Sequence, residues 1–126
     1  MSTHEFVIEM PLDGFTPEKL DILTKMVSAK ENLIKAALST EKLPIQVKDG
    51  IIKFPWFMLE DSSHAAYYVQ FIWALCNTAK VRKRVNVSKN KSSPNSKQTM
   101  RRWLTSLGMF GKEYKNARKL LLKKFK

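Results

Sequence analysis

Hydrophobic positions recur with a period of two near the start of the chain and with helical spacing over most of the rest. Phe6, Ile8 and Met10 alternate with Val7 and Glu9, which predicts a short strand ending at Pro11 and the DGF turn. Thr16 stands where an N-cap is needed, with Pro17 at the first helical position and Glu18 in the first turn. Leu20, Leu23, Val27, Ile34 and Leu38 form an apolar stripe, so a single helix is predicted from Pro17 to about Leu38. Two β-prone runs, Ile45 to Val47 and Ile51 to Phe54, flank Asp49-Gly50 and predict a hairpin. A lone hairpin is marginal, but pairing with the first strand gives a three-stranded antiparallel sheet whose apolar face needs a helical cover.

Asp61, Ser62 and Ser63 offer caps for a second helix, predicted from about Ser63 to Val85. Between Ala65 and Cys76 only Gln70 is strongly polar, the mark of a central buried helix. The segment NVSKNKSSPNSKQ is polar, basic and broken by Pro94, and predicts an exposed loop over 86–97. A third helix, about Lys97 to Leu107, carries Met100, Trp103, Leu104 and Leu107 and stops at Gly108. In a fourth, about Lys112 to Phe125, Tyr114, Ala117, Leu121 and Phe125 share one face, and Lys112, Lys115, Lys119, Lys123 and Lys126 share the other. Trp56, Phe57 and Met58 follow the hairpin as an aromatic knot, expected to pack between sheet and helix. The expectation is one α+β domain over 1–126, mostly helical, in the order β-α-β-β-α-α-α. A small antiparallel sheet packs against the first two helices, and a basic helical pair closes the chain at 97–125.

Charge sharpens this outline. The 126 residues carry a formal net charge of +12, and 44% are apolar, enough for a core of ordinary domain size. Residues 80–126 hold 16 Lys or Arg against the single acid Glu113, whereas residues 1–79 have a net charge of −3. Segregated charge of this kind orients a protein toward an anionic partner. The cations fall into groups: Lys80, Arg82, Lys83 and Arg84 at the end of the second helix, Lys89 and Lys91 in the loop, Lys97, Arg101 and Arg102 on the third helix, and Lys112, Lys115, Lys119 and Lys123 on the fourth. Five lysines at helical spacing repel one another unless water, salt or a polyanion neutralises them.

Other chemistries find little footing. His4 and His64 are 60 positions apart, the lone Cys76 lies in an apolar run, and the Asp61 beside His64 is accounted for as a helix cap. There is no Gly-rich phosphate loop, paired-cysteine metal site or HExxH motif, so neither an enzyme nor a cofactor is expected. One cysteine admits no internal disulfide and suits a reducing cytoplasm; no apolar window reaches membrane-spanning length, and the N-terminus lacks a secretory pattern.

Three segments, FTPEKLDILTKMVSAKENLIKAAL, HAAYYVQFIWALCNTAKVRKRV and MRRWLTSLGMFGKEYKNARKLLLKKF, together resemble a family of small, virulence-related proteins from Gram-positive bacteria and their mobile elements. Gly111, Glu113, Tyr114, Lys115, Ala117 and Arg118 match that family's Gly-aromatic turn and basic helix. Members continue past this helix with a short polar tail, where this sequence stops at Lys126. The resemblance implies association with a prophage, plasmid or conjugative element and a cytoplasmic location, and assigns neither catalytic residues nor a cofactor.

Two functional readings follow, beside the plain one that the charge serves solubility. In the first, the protein is a non-catalytic nucleic-acid-binding protein whose C-terminal cations contact DNA or RNA phosphates with little sequence specificity. The third helix, GMFG turn and fourth helix resemble a helix-turn-helix in outline, but an exposed face that is almost all lysine, with Asn116 the one base-reading candidate, favours backbone contact. In the second, the same surface docks on an acidic face of a host protein and modulates a defence or nucleic-acid-processing machine. The sequence does not fix the oligomeric state.

Overall fold

A computed structural model describes residues 4–59, 61–82 and 96–125. The fold is α+β and majority helical. Strand β1 (His4–Pro11) is followed by helices α1 (Pro17–Ala29) and α2 (Glu31–Leu38), strands β2 (Gln46–Lys48) and β3 (Ile51–Leu59), helix α3 (His64–Val81), helix α4 (Ser96–Ser106), a 3-10 turn (Lys112–Tyr114) and helix α5 (Lys115–Leu122). The three strands form one antiparallel sheet in the order β1-β3-β2.

The hairpin forms where Asp49-Gly50 predicts it. Both residues take positive φ, 53° and 75°, as a type I′ turn requires and as Asp and Gly tolerate. Strand β3 runs well past the predicted Phe54, so the aromatic knot is strand rather than a segment after it. Pro55 is accommodated by a bulge. Phe6 pairs with Phe57 and Ile8 with Phe54, leaving Pro55-Trp56 opposite Val7 alone, so the missing N–H interrupts no regular ladder position. The bulge also breaks the alternation and puts both Trp56 and Phe57 in the core. The Trp56 indole N–H donates to the Pro44 carbonyl at 2.6 Å, and its ring meets Phe54 edge-on at 5.2 Å.

The long first helix is two. At Lys30 the backbone leaves helical geometry (φ −111°, ψ 17°), its N–H reaching Met26 and Val27 carbonyls while its own carbonyl accepts from Ile34 N–H. No Gly or Pro marks the break. Its cause is tertiary: α1 packs on α3, whereas α2 turns to meet β3 and α5. The sheet is thus covered by α2 and α3, with Ile8, Met10, Ile52 and Phe54 facing them from the strands.

Helix α3 is the central element, and Phe71, Ile72, Leu75, Cys76 and Ala79 are all inaccessible to solvent. Its start is fixed differently from the expected side-chain cap. The Asp61 carboxylate turns back to accept from the Ser63 N–H and hydroxyl, each at 2.9 Å, and Ser63 makes no side-chain cap bond to the helix. Those two hydrogen bonds, the backbone one foremost, hold the Asp61 carboxyl below the usual carboxylate range. The helix ends at Val81, with Arg82 extended, rather than at Val85; residues 83–85 lie outside the described residues. Gln70, the lone polar residue of the apolar run, lends its amide N–H to the Glu113 carbonyl (3.4 Å) and ties α3 to the 3-10 turn.

Helix α4 ends in a Schellman motif. Gly108 takes φ 92°, its N–H donates to the Thr105 carbonyl and that of Met109 to Leu104, while the Met109 side chain is buried. Gly111, also at positive φ (84°), then redirects the chain into the 3-10 turn, which replaces the first turn expected of the fourth helix. Among the described residues no helix is long and apolar enough to cross a membrane.

Candidate nucleic-acid interface

Helices α4 and α5 lie side by side, each with its apolar stripe in the core: Met100, Trp103 and Leu104 from one, Ala117, Leu121 and Leu122 from the other. Burying those stripes forces the polar flanks to face each other across an open groove of about 960 Å³. Lys97, Arg101 and Thr105, four residues apart along α4, form one wall. Lys115, Asn116, Arg118, Lys119 and Lys123 line the other with Leu120 and Leu122 between them, and His64 and Tyr67 from the first turn of α3 complete the lining.

Six cations therefore line one concavity that includes no carboxylate among the described residues. Glu113, on the 3-10 turn, and Asp61, three residues before His64, lie outside it. Arg118 is partly committed, since its guanidinium donates to the Met109 carbonyl at 3.1 Å and pins the turn between α4 and α5. A guanidinium has further donors to offer an anion. The Thr105 hydroxyl is turned back to the Arg101 carbonyl at 3.0 Å, leaving charge rather than hydroxyl chemistry to dominate this wall. The groove is rich in donors and can hold an anion; its lining has no thiol or carboxylate to ligate a metal. Among the described residues no three His, Cys, Asp or Glu side chains gather as a metal site needs.

The cations expected to act together are divided by the fold. Lys97, Arg101, Lys115, Lys119 and Lys123 meet in the groove. Lys80 does not join them: its ammonium sits 5.0 Å from the Phe15 ring centre, half-buried against the loop before α1. Arg82 and Arg102 line a different concavity, and Lys112 is exposed outside the groove. Lys83, Arg84, Lys89 and Lys91 lie outside the described residues, as does the expected loop except for residues 96 and 97, which belong to α4. His64 and Tyr67 were not foreseen as part of this surface. Nothing in their local sequence places them there, because only the packing of α3 against α5 brings them to the groove. Arg118 was not counted among the expected cations either, although its place on the basic helix is a signal that could have found it; Asn116 was expected there as a base-reading candidate.

Cys76 is a structural thiol. Burial pushes its ionisation up to about 12, the nearby Lys80 ammonium acting weakly in the opposite sense. Native protein at pH 8 is expected to react with a disulfide reagent only as fast as it unfolds. Because the unfolded thiol ionises near its ordinary 9.0 and the folded one near 12, its contribution to stability is complete below pH 9 and is lost as pH rises from there toward 12. The loss is about 1.4 kcal/mol per pH unit. Urea melts of the protein and of Cys76→Ala across that range check it: the variant's stability should fall less steeply.

No protein-family model, curated protein or solved structure matches this chain. Function has to be read from the residues themselves.

Proposed function

We propose that this protein binds nucleic acid without catalysing a reaction on it, and that the groove between α4 and α5 receives the phosphate backbone. The observation that carries the reading is the convergence of six cations from two helices on one open concavity with no acid among the described residues of its lining. Like charges held together in this way repel, and a polyanion relieves that cost while releasing its own counterions. An open groove suits a strand that passes through it. Lysine is a compact point charge on a flexible stem, suited to phosphate and poor at reading base edges, so little sequence specificity is expected, with Asn116 as the residue best placed to supply any.

Association with a mobile element of Gram-positive bacteria belongs to the same proposal and rests on the segment resemblance; a cytoplasmic setting rests on that and on the lone cysteine. In the rival reading, which rests on the same positive charge, the groove takes an acidic face of a host protein.

Fluorescence anisotropy of nuclease-treated protein against duplex DNA, single-stranded DNA and RNA over a salt series tests the proposal. If all six cations neutralise phosphates, log K against log salt should fall with a slope of about −5 for duplex and about −4 for single strands. Absence of saturable binding to all three near physiological salt would sink the proposal and leave the acidic-protein reading to be pursued by pull-down.

A further inference from the structure

Arg101 and Arg102 are neighbours in sequence, but the 100° step of the helix sends them to opposite flanks of α4. Arg101 faces the groove. Arg102, with Thr99, Trp103 and Ser106 on the same side of the helix, faces a second and smaller concavity of about 340 Å³. Its other walls are Met26, Ala29 and Lys30 from the junction of α1 and α2, and Arg82 from the end of α3.

Three cations from three separate elements thus converge on a pocket whose lining contains no acid among the described residues. Among the described residues neither ion pair involves any of them: these join Lys25 to Asp21 and Lys35 to Glu31. Residues 83–95, which follow Arg82 in sequence, contain no Asp or Glu, and Glu31, the acid that follows Lys30, is paired with Lys35 at 2.8 Å. The cluster is held in place by the backbone. Lys30 is the residue at which α1 gives way to α2, and the Arg82 carbonyl accepts from the Lys19 ammonium at 2.8 Å, fixing the end of α3 against α1. Burial, and after it the Arg82 guanidinium, hold the Lys30 ammonium below its ordinary range, and the opposite charge of an anion in the pocket would offset that.

We infer that this pocket is a binding site for a phosphomonoester group. Its volume is at the small end of ligand sites, unlike the groove on the other flank of α4. A terminal phosphate carries a charge of about −1.5 to −2 and exposes three acceptor oxygens, a closer match to three converging cations than the single charge of a backbone phosphodiester. The Arg82 and Arg102 guanidinium groups supply planar forks, Lys30 a point charge and Thr99 a hydroxyl, while Met26, Ala29 and the Trp103 ring give the pocket an apolar side for whatever bears the phosphate. Such a group comes either at the 5′ end of a nucleic-acid strand or on a small phosphorylated metabolite. The site does not depend on the groove being a nucleic-acid surface.

The test is a titration of the full chain with sodium phosphate at constant ionic strength, followed by amide and arginine side-chain NMR. Saturable shifts centred on Lys30, Arg82, Thr99, Arg102 and Ser106 are expected, with affinity weakened at least tenfold in Arg102→Gln and in Lys30→Gln. The variant with Lys115, Lys119 and Lys123 changed to Glu should keep them, which separates this site from the groove. A 5′-phosphorylated oligonucleotide that outcompetes both its 5′-hydroxyl counterpart and a nucleoside 5′-monophosphate identifies a strand end; equal competition by the monophosphate identifies a small phosphorylated ligand. Shifts that rise linearly with phosphate across all basic residues, or binding unchanged in both glutamine variants, would overturn the assignment.

Discussion

Changing Lys115, Lys119 and Lys123 together to Glu should weaken duplex binding by roughly 100-fold or more at moderate salt and flatten the salt dependence by about 2.7 units of slope. The three side chains are exposed and follow one another along the groove wall of α5. Removing three phosphate contacts accounts for the change in slope, and three new negative charges facing Lys97 and Arg101 account for the further loss of affinity by repelling the strand. The fold should not suffer, because glutamate is as good a helix former as lysine and the substitutions relieve repulsion among the groove cations. Circular dichroism and a thermal melt establish that point. A double change of Lys42 and Lys48 to Glu serves as the comparison, since both residues are exposed and outside the groove. If the triple variant loses no more affinity than this control, the groove is not the binding surface.

Phe71→Ala should cost about 3–5 kcal/mol, a large part of the stability of a domain this size. The Phe71 side chain is inaccessible to solvent at the middle of α3 and meets Trp103 edge-on at a ring separation of 6.0 Å, joining the central helix to α4. Alanine preserves helix propensity, so the loss reports packing and the cavity left behind. Trp73→Ala, two residues along the same helix, removes a larger side chain that is 53% exposed and should cost well under half as much. Urea denaturation of both variants gives the comparison. Equal losses would mean that the buried Phe71–Trp103 contact stabilises the fold no more than a half-exposed aromatic does. Because α4 supplies one wall of both cationic concavities, Phe71→Ala should also weaken anion binding in proportion to the unfolded fraction, a pattern distinct from that of surface charge changes.

Much of the architecture is a local property of the chain. The period-two run at Phe6 to Met10, the Asp49-Gly50 pair and the Gly108 stop each appear where their backbone chemistry requires, because a hydrophobic period or a positive φ is specified within a few residues. The segregation of charge is equally a fact of composition, and so is the opposition of an apolar and a lysine face on α5.

What the sequence left open is which faces meet. The break at Lys30 carries no Gly or Pro and arises because α1 and α2 have different partners. The bulge at Pro55 depends on the pairing of β3 with β1, a strand more than 40 residues away, and it turned an expected aromatic segment after the hairpin into buried sheet. The fate of the cations is decided in the same way. Helical spacing shows that Arg101 and Arg102 point apart, but only the tertiary fold gives each flank of α4 its opposite wall: Lys115 to Lys123 with His64 and Tyr67 on one side, Lys30 and Arg82 on the other. Lys80, grouped by sequence with Arg82, is drawn to the Phe15 ring. A local pattern encodes the direction of a side chain relative to its own helix or strand; the company it keeps is set by the burial of apolar faces distant in sequence, and that is what divided the cations of a basic C-terminal third between two separate concavities.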